Sequence, residues 1–384
     1  MSLLLPVDGG NSVDWSPSGA TPPQPGPGGF DSRSAFAAVH VVADARSDPK
    51  ADGSPVIDWD ETLAYRHYLW SLGLGVAEAM DTAQRGAGVG WETARELILR
   101  TAAEAESVGG SAVYGASTDQ LDTGGLVDLG TITAAYREQV EFVEAAGGVA
   151  ILMASRELAS VAIGPDDYMA VYDEVIAAAS RPVMIHWLGG MFDPALASYW
   201  GSPDPWQAKE TLIRIVEATA GGVSGVKVSL LDSQLEVDMR KRLPGGVSVY
   251  TGDDLHYVDL ILGDENGHSD ALLGVFDPIA PVAAAALQAL DRDDIDGYRA
   301  LLEPTVPFAR HLFDAPTYHY KTGVVFLAYL NDHQSHFRMV GGMETARSLR
   351  HLARLLVLAD EAGLLRDPDL ATQRMRALLE LGSE

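Results

Sequence analysis

The sequence predicts an α/β protein, a (β/α)8 TIM barrel with a helical C-terminal extension, and three observations carry that prediction. Eight short apolar, β-rich runs alternate with longer stretches of helical spacing. The alternation fills about 240 residues, the size of an eight-unit barrel. After Pro281 the pattern turns wholly helical. A doubly wound open sheet is the alternative, but no Gly-rich phosphate loop supports it: Gly86-Ala87-Gly88-Val89-Gly90 does not directly follow a strand, and it reads as a plain loop.

Taken in order, residues 1–34 read as a loose, disordered arm. Gly, Pro and Ser crowd Gly9–Phe30, with Pro22, Pro23, Pro25 and Pro27 close together, and such a segment buries too little apolar surface to offset its ordering. The barrel is expected over 35–281. Its strands are placed at Phe36–Val42, Gly73–Met80, Ser111–Gly115, Val149–Met153, Pro182–Trp187, Gly222–Ser229, Val247–Tyr250 and Ala271–Phe276. Helices are expected over Trp59–Leu72, Trp91–Val108, Thr131–Ala146, Asp166–Ala179 and Pro205–Ala220. Residues 282–384 form the extension, in short helical segments from Val282–Leu290 to Asp369–Leu381, long enough to pack on the barrel or on another subunit.

Composition narrows the function. A formal net charge of −27 argues against nucleic-acid or anionic-membrane partners, because no basic patch is available to meet phosphates. The chain has no Cys, which removes disulfides, thiolate metal sites and a Cys nucleophile. No apolar run approaches the roughly 18 residues of a membrane helix. Met1–Pro6 lacks the basic start and length of a signal peptide, so a cytoplasmic protein is the expectation.

Lys227 stands out. It is one of five lysines, and Lys50, Lys209 and Lys241 sit in polar surroundings. Lys227 lies between Val226 and Val228 in a run that reads as buried on both faces. Burying an ammonium is costly, so desolvation lowers its pKa toward a neutral, nucleophilic amine. A structural Lys paired with a buried carboxylate is the competing reading. In a barrel the strand C-termini carry the chemistry. Here they bear Asp44; Asp81 and Thr82; Ser117, Thr118 and Asp119; Ser155 and Arg156; His186 and Trp187; Lys227 and Ser229; and Thr251, Gly252, Asp253 and Asp254. Helix capping is the ordinary job of Asp and Ser at such junctions.

The order Gly225-Val226-Lys227, then Thr251-Gly252-Asp253-Asp254, resembles the dihydrodipicolinate synthase and N-acetylneuraminate lyase superfamily. Ser269–Pro281, and the tail segment Ala315-Pro316-Thr317-Tyr318-His319-Tyr320-Lys321, resemble that family's eighth strand and its Pro-containing helical tail, as an uncharacterised bacterial branch. The resemblance implies a Schiff-base lyase or aldolase, with Lys227 forming an imine with a 2-keto acid or sugar-derived keto acid. It implies Asp81 and Thr82 at the substrate carboxylate, with the Asp81 charge ill-suited there, and a structural role for Lys321. The family's strand-4 proton-relaying Tyr is missing: the chain has Met153-Ala154-Ser155-Arg156. Strand 5 also departs, with His186-Trp187-Leu188-Gly189.

His186, with an ordinary pKa of about 6.5, is the expected acid–base replacement. Arg156 is a candidate anion receiver, Trp187 a stacking platform, and Ser155, Ser229, Gly252, Asp253 and Asp254 fill out the site. Small-molecule binding, no cofactor, no metal and a homo-oligomer are expected. A second reading draws divalent-metal ligands from His40, Asp81, His186, His256, His268, Asp253, Asp254 and Asp270. A third is a keto-acid-binding barrel without catalysis.

Overall fold

The computed structural model describes residues 2–7, 11–26, 28–48, 50, 53–121 and 127–381. Eight parallel strands close into a barrel: β3 (Ala35–Ala38), β4 (Gly75–Glu78), β5 (Ala112–Ala116), β6 (Val149–Leu152), β7 (Val183–Leu188), β8 (Val223–Ser229), β9 (Ser248–Thr251) and β10 (Asp270–Leu273), with β10 pairing back to β3. The eight strands lie within the predicted runs or a residue or two off them.

Strand alternation builds two cores. One parity faces inward, where Phe36, Ala38, Ala77, Val113, Ile151, Met184 and Leu272 pack together inside the cylinder. The other parity, including Val76, Tyr114, Ile185, Trp187, Val226 and Val228, packs against the surrounding helices. Both faces of each strand are therefore apolar, which is why the strands read as continuous hydrophobic runs.

The helix α2 (Trp91–Val108) spans the predicted residues, with Gly109 as a left-handed C-cap at φ 67°. Two short helices outside the sequence reading complete the units after β8 and β9: α7 (Ser233–Arg242) and α8 (Tyr257–Leu262). Their sequences are strongly polar or only six residues long, so their apolar periodicity is weak. The helix following β10 is α9 (Ala280–Leu290), so the eight-unit repeat runs one helix beyond residue 281. The rest of the extension includes α11 (Val306–Leu312), α12 (Tyr320–Leu330), α13 (Leu349–Glu361) and α14 (Pro368–Leu381).

The N-terminal segment corrects the disordered-arm expectation. Strands β1 (Leu3–Pro6) and β2 (Ser12–Trp15) form an antiparallel hairpin on α13. Leu3, Leu5 and Trp15 are buried there, each contributing about 1.5–3 kcal/mol of apolar burial. Farther along, the backbone N–H and hydroxyl of Ser18 donate to the Asp360 carboxylate, and the Gly26 N–H donates to Gln288 Oε1 at 2.8 Å. Composition predicts disorder here because Pro and Gly dominate; a few alternating apolar residues and a docking surface outweigh it. The Gly86–Gly90 loop also finds a use. A Cβ at Gly88 or Gly341 would run into the other loop's backbone, so the glycines let residues 86–88 pack on 340–341.

Candidate active site

The register of β7 and β8 sets the site. His186 pairs with Lys227 and Leu188 with Ser229, so these four side chains point into the barrel together. Trp187 belongs to the opposite parity and packs in the outer core, 3% exposed; it cannot stack on anything in the barrel mouth. On β4 the alternation breaks at Ala79, held at φ +57°, and the chain turns so that Met80, Asp81 and Thr82 edge the same cavity. Tyr320, Phe192, Asp254 and Gly274 complete the lining.

Lys227 is 6% exposed and forms none of the ion pairs seen among the described residues. Burial pushes its pKa down to about 8, with the charges of Asp254 and Asp81 opposing that shift. Burial pushes Asp254 up to about 7, although its Oδ1 accepts the Val275 N–H at 2.8 Å. Burial therefore shifts the amine downward and the carboxyl upward within the same cavity. His186 is driven well below its ordinary pKa by burial and then by Lys227, so the imidazole is neutral at pH 7. Its Nε2 lies 3.1 Å from Ser229 Oγ, and its buried Nδ1 has no hydrogen-bond partner.

Gly252 is a packing requirement. A Cβ there would sit 2.2 Å from Ser229 Oγ and 3.0 Å from Lys227 Cε, so the glycine lets the end of β9 pass over the lysine stem.

The roof comes from the extension. The Tyr320 hydroxyl lies 2.7 Å from Thr82 Oγ1 and donates to Asp81 Oδ2 at 3.0 Å. Burial and the Asp81 charge raise its pKa well above the usual phenol value, so it stays protonated. Lys321, next in sequence, pairs with Asp81 Oδ1 at 2.8 Å. Sequence reasoning missed Tyr320 as a site residue. Its signal was its place one residue before Lys321 in the tail segment; its partner Thr82 lies 238 residues away in the chain.

Other expectations are corrected. Ser155 is buried with its Oγ accepting the Leu158 N–H, as the cap of the short helix Arg156–Val161, and Arg156 pairs with Asp193 at 2.6 Å on the surface. Asp253 accepts the Leu255 and His256 N–H groups in the turn that leads into α8 and holds His256 Nδ1 at 2.8 Å. Local bonds thus occupy these three residues, while Asp81, Thr82, Lys227, Ser229 and Asp254 gather at the cavity. Lys209 is buried as well, 2% exposed, and pairs with Asp238. Of the alternative metal set, Asp81, His186 and Asp254 reach the cavity, but among the described residues no three of the eight bring ligand atoms within 4.8 Å of one another. His40 is bound to Asp277 at 2.7 Å, His256 to Asp253, and His268 and Asp270 lie at the opposite, N-terminal end of β10.

The cavity is small, about 20 Å³, room for one water and too little for a three-carbon acid. Entry of any larger molecule requires the roof to shift. Asp81, with its side chain 20% exposed, stands at that roof beside Lys321.

Solved structures with the same architecture include a prophage protein of the dihydrodipicolinic acid synthase family from E. coli K12 in complex with pyruvate. It is 14% identical, with 86% of this chain and 99% of that chain covered and a TM-score of 0.66. Dihydrodipicolinate synthase from Aquifex aeolicus is 12% identical over 87% of this chain and 100% of that chain, with a TM-score of 0.65. The pyruvate complex of the Acinetobacter baumannii enzyme is 13% identical over 87% and 100%, with a TM-score of 0.64. The resemblance read from the sequence holds in the fold. No curated protein sequence matches this chain. The family model described as "Protein of unknown function (DUF993)" matches residues 3–383, and the chain belongs to that family.

Proposed function

We propose that the protein is a carbon–carbon lyase of the class I aldolase type that forms a Schiff base between Lys227 and a small 2-keto acid. The observation that carries this reading is a lysine buried in the barrel mouth, without an ion partner, whose amine is neutral in a large fraction of molecules near pH 8. Asp254, its carboxyl pushed up by burial, is an acceptor for the proton that Lys227 must shed.

The neutral amine adds to the ketone carbon, a C–N bond forms and the carbonyl oxygen takes a proton. Loss of that oxygen as water leaves the iminium, which serves as the electron sink when the adjacent C–C bond breaks or forms. Tyr320 is the proton donor to the departing oxygen, with Thr82 and Asp81 fixing its hydroxyl. It takes the place that His186 was expected to fill; His186 remains neutral and orients Ser229. The substrate carboxylate replaces Asp81 on the Lys321 ammonium, so the acidic residue that ill-suited an anion site acts as a displaceable lid on a cation. The pyruvate complexes of the fold relatives add support for a keto acid of that size.

Borohydride reduction with a panel of 2-keto acids, followed by peptide mapping, tests this reading. A reduced adduct on the Lys227 peptide is expected. No adduct with any keto acid removes the imine mechanism, and an adduct without turnover of any aldehyde partner makes the protein a binding barrel instead.

A further inference from the structure

The helical extension carries a second cluster that the barrel chemistry does not use. His311, at the end of α11, Asp314, just beyond it, and His351, in the first turn of α13, each offer one ligand atom, and the three atoms lie within 4.8 Å of one another. Among the described residues no other three His, Cys, Asp or Glu side chains converge in this way.

The hydrogen bonding at this cluster is incomplete in an informative way. His311 Nε2 lies 3.0 Å from the His351 carbonyl oxygen, an acceptor only, so Nε2 carries the proton. In the neutral ring Nδ1 then presents a bare lone pair, and it faces Asp314 Oδ2 at 3.2 Å. Two lone pairs at that separation repel unless a cation or a proton lies between them. The His351 ring stacks on His311, with centroids 4.0 Å apart, and its Nε2 is buried without a hydrogen-bond partner among the described residues. A ligating His whose other nitrogen donates to a backbone carbonyl is the usual outer-sphere arrangement of a metal site.

We propose that His311, Asp314 and His351 bind a divalent transition-metal ion of the zinc class, tying α11 to α13. Bonds of about 2.1 Å in tetrahedral geometry place ligand atoms about 3.4 Å apart, so modest side-chain rotation closes the cluster on the ion. With three protein ligands, the fourth position opens toward solvent, since the Asp314 side chain is 60% exposed. A groove of about 490 Å³ between α13 and the N-terminal hairpin, lined in part by His311 and His351, gives access. The segment so clamped also carries Phe313, whose ring stacks on Tyr320 at 4.6 Å, so the ion braces the wall of the barrel cavity from outside. The cluster shares no side chain with that cavity, and the proposal does not depend on the imine chemistry.

Equilibrium dialysis of the untagged full-length protein against Zn²⁺, and visible absorption after loading with Co²⁺, test the proposal. One ion per chain and tetrahedral Co²⁺ bands are expected, with at least a tenfold loss of affinity in Asp314→Asn and loss of the bands in His351→Gln. Asp314 lies on the surface, so its variant is expected to fold as the parent does by circular dichroism. Absence of stoichiometric binding, or binding unchanged in Asp314→Asn and His351→Gln, overturns it.

Discussion

Lys227 lines the cavity and Lys321 lies behind its Asp81 wall; both are buried, and they differ in their ion pairing. Lys321 is neutralised by Asp81 at 2.8 Å. Among the described residues Lys227 has no carboxylate in such contact, and desolvation outweighs the pull of Asp254 and Asp81. In the proposed chemistry the paired lysine holds an anion and the unpaired one attacks carbon. Lys209, buried beside Asp238 and over the Trp206 ring, repeats the paired case outside the cavity. Burial alone therefore does not make a nucleophile. Burial without an ion partner favours the neutral form that the proposed attack needs.

The largest expected effect comes from removing the unpaired amine. Lys227→Ala should abolish borohydride-trapped adduct and lower turnover by about 10³-fold or more, with an unchanged circular dichroism spectrum. Adduct that persists, mapped to Lys321, would reverse the comparison. Next, Tyr320→Phe should slow imine formation about 10²-fold while changing keto-acid affinity little, as measured by stopped-flow and calorimetry. A fall in affinity with an unchanged rate would mark Tyr320 as packing only.

The pH profile sharpens the contrast further. The neutral fraction of Lys227 increases as pH rises through about 8. Adduct formation should therefore climb about tenfold from pH 7 to 9 and then flatten. A rate still climbing steeply at pH 10 would mean an ordinary lysine. The smallest effect is on stability: Lys321→Met leaves Asp81 without its cation and should cost about 2 kcal/mol in chemical denaturation, intermediate between exposed and fully buried pairs. The same variant should retain adduct at Lys227 and bind keto acids more weakly.

Much of this was legible in the sequence, for identifiable reasons. Parallel strands buried on both faces write themselves as unbroken apolar runs, so all eight could be placed within a few residues. A charge inside such a run is conspicuous, which exposed Lys227. Side-chain parity was equally available: Trp187 follows His186 directly, so the two cannot face the same side of β7. Residues at strand ends were harder. Ser155, Asp253, Asp81 and Asp254 look alike in sequence, and only their neighbours separate those bonded to nearby backbone from those at the cavity. Tyr320 and Lys321 were hardest, because their partners Asp81 and Thr82 lie some 240 residues away in the chain.

The amino-acid order by itself determined the barrel, the inward lysine and the absence of thiol chemistry, because hydrophobic periodicity and residue type act locally. Which carboxylate meets which ammonium was decided by chain closure. When β10 joins β3 and the tail folds over the barrel mouth, Lys321 receives Asp81 and Lys227 receives none. Proton affinities in a water-poor cavity depend on those few ångströms, and such distances are set only by the packed whole.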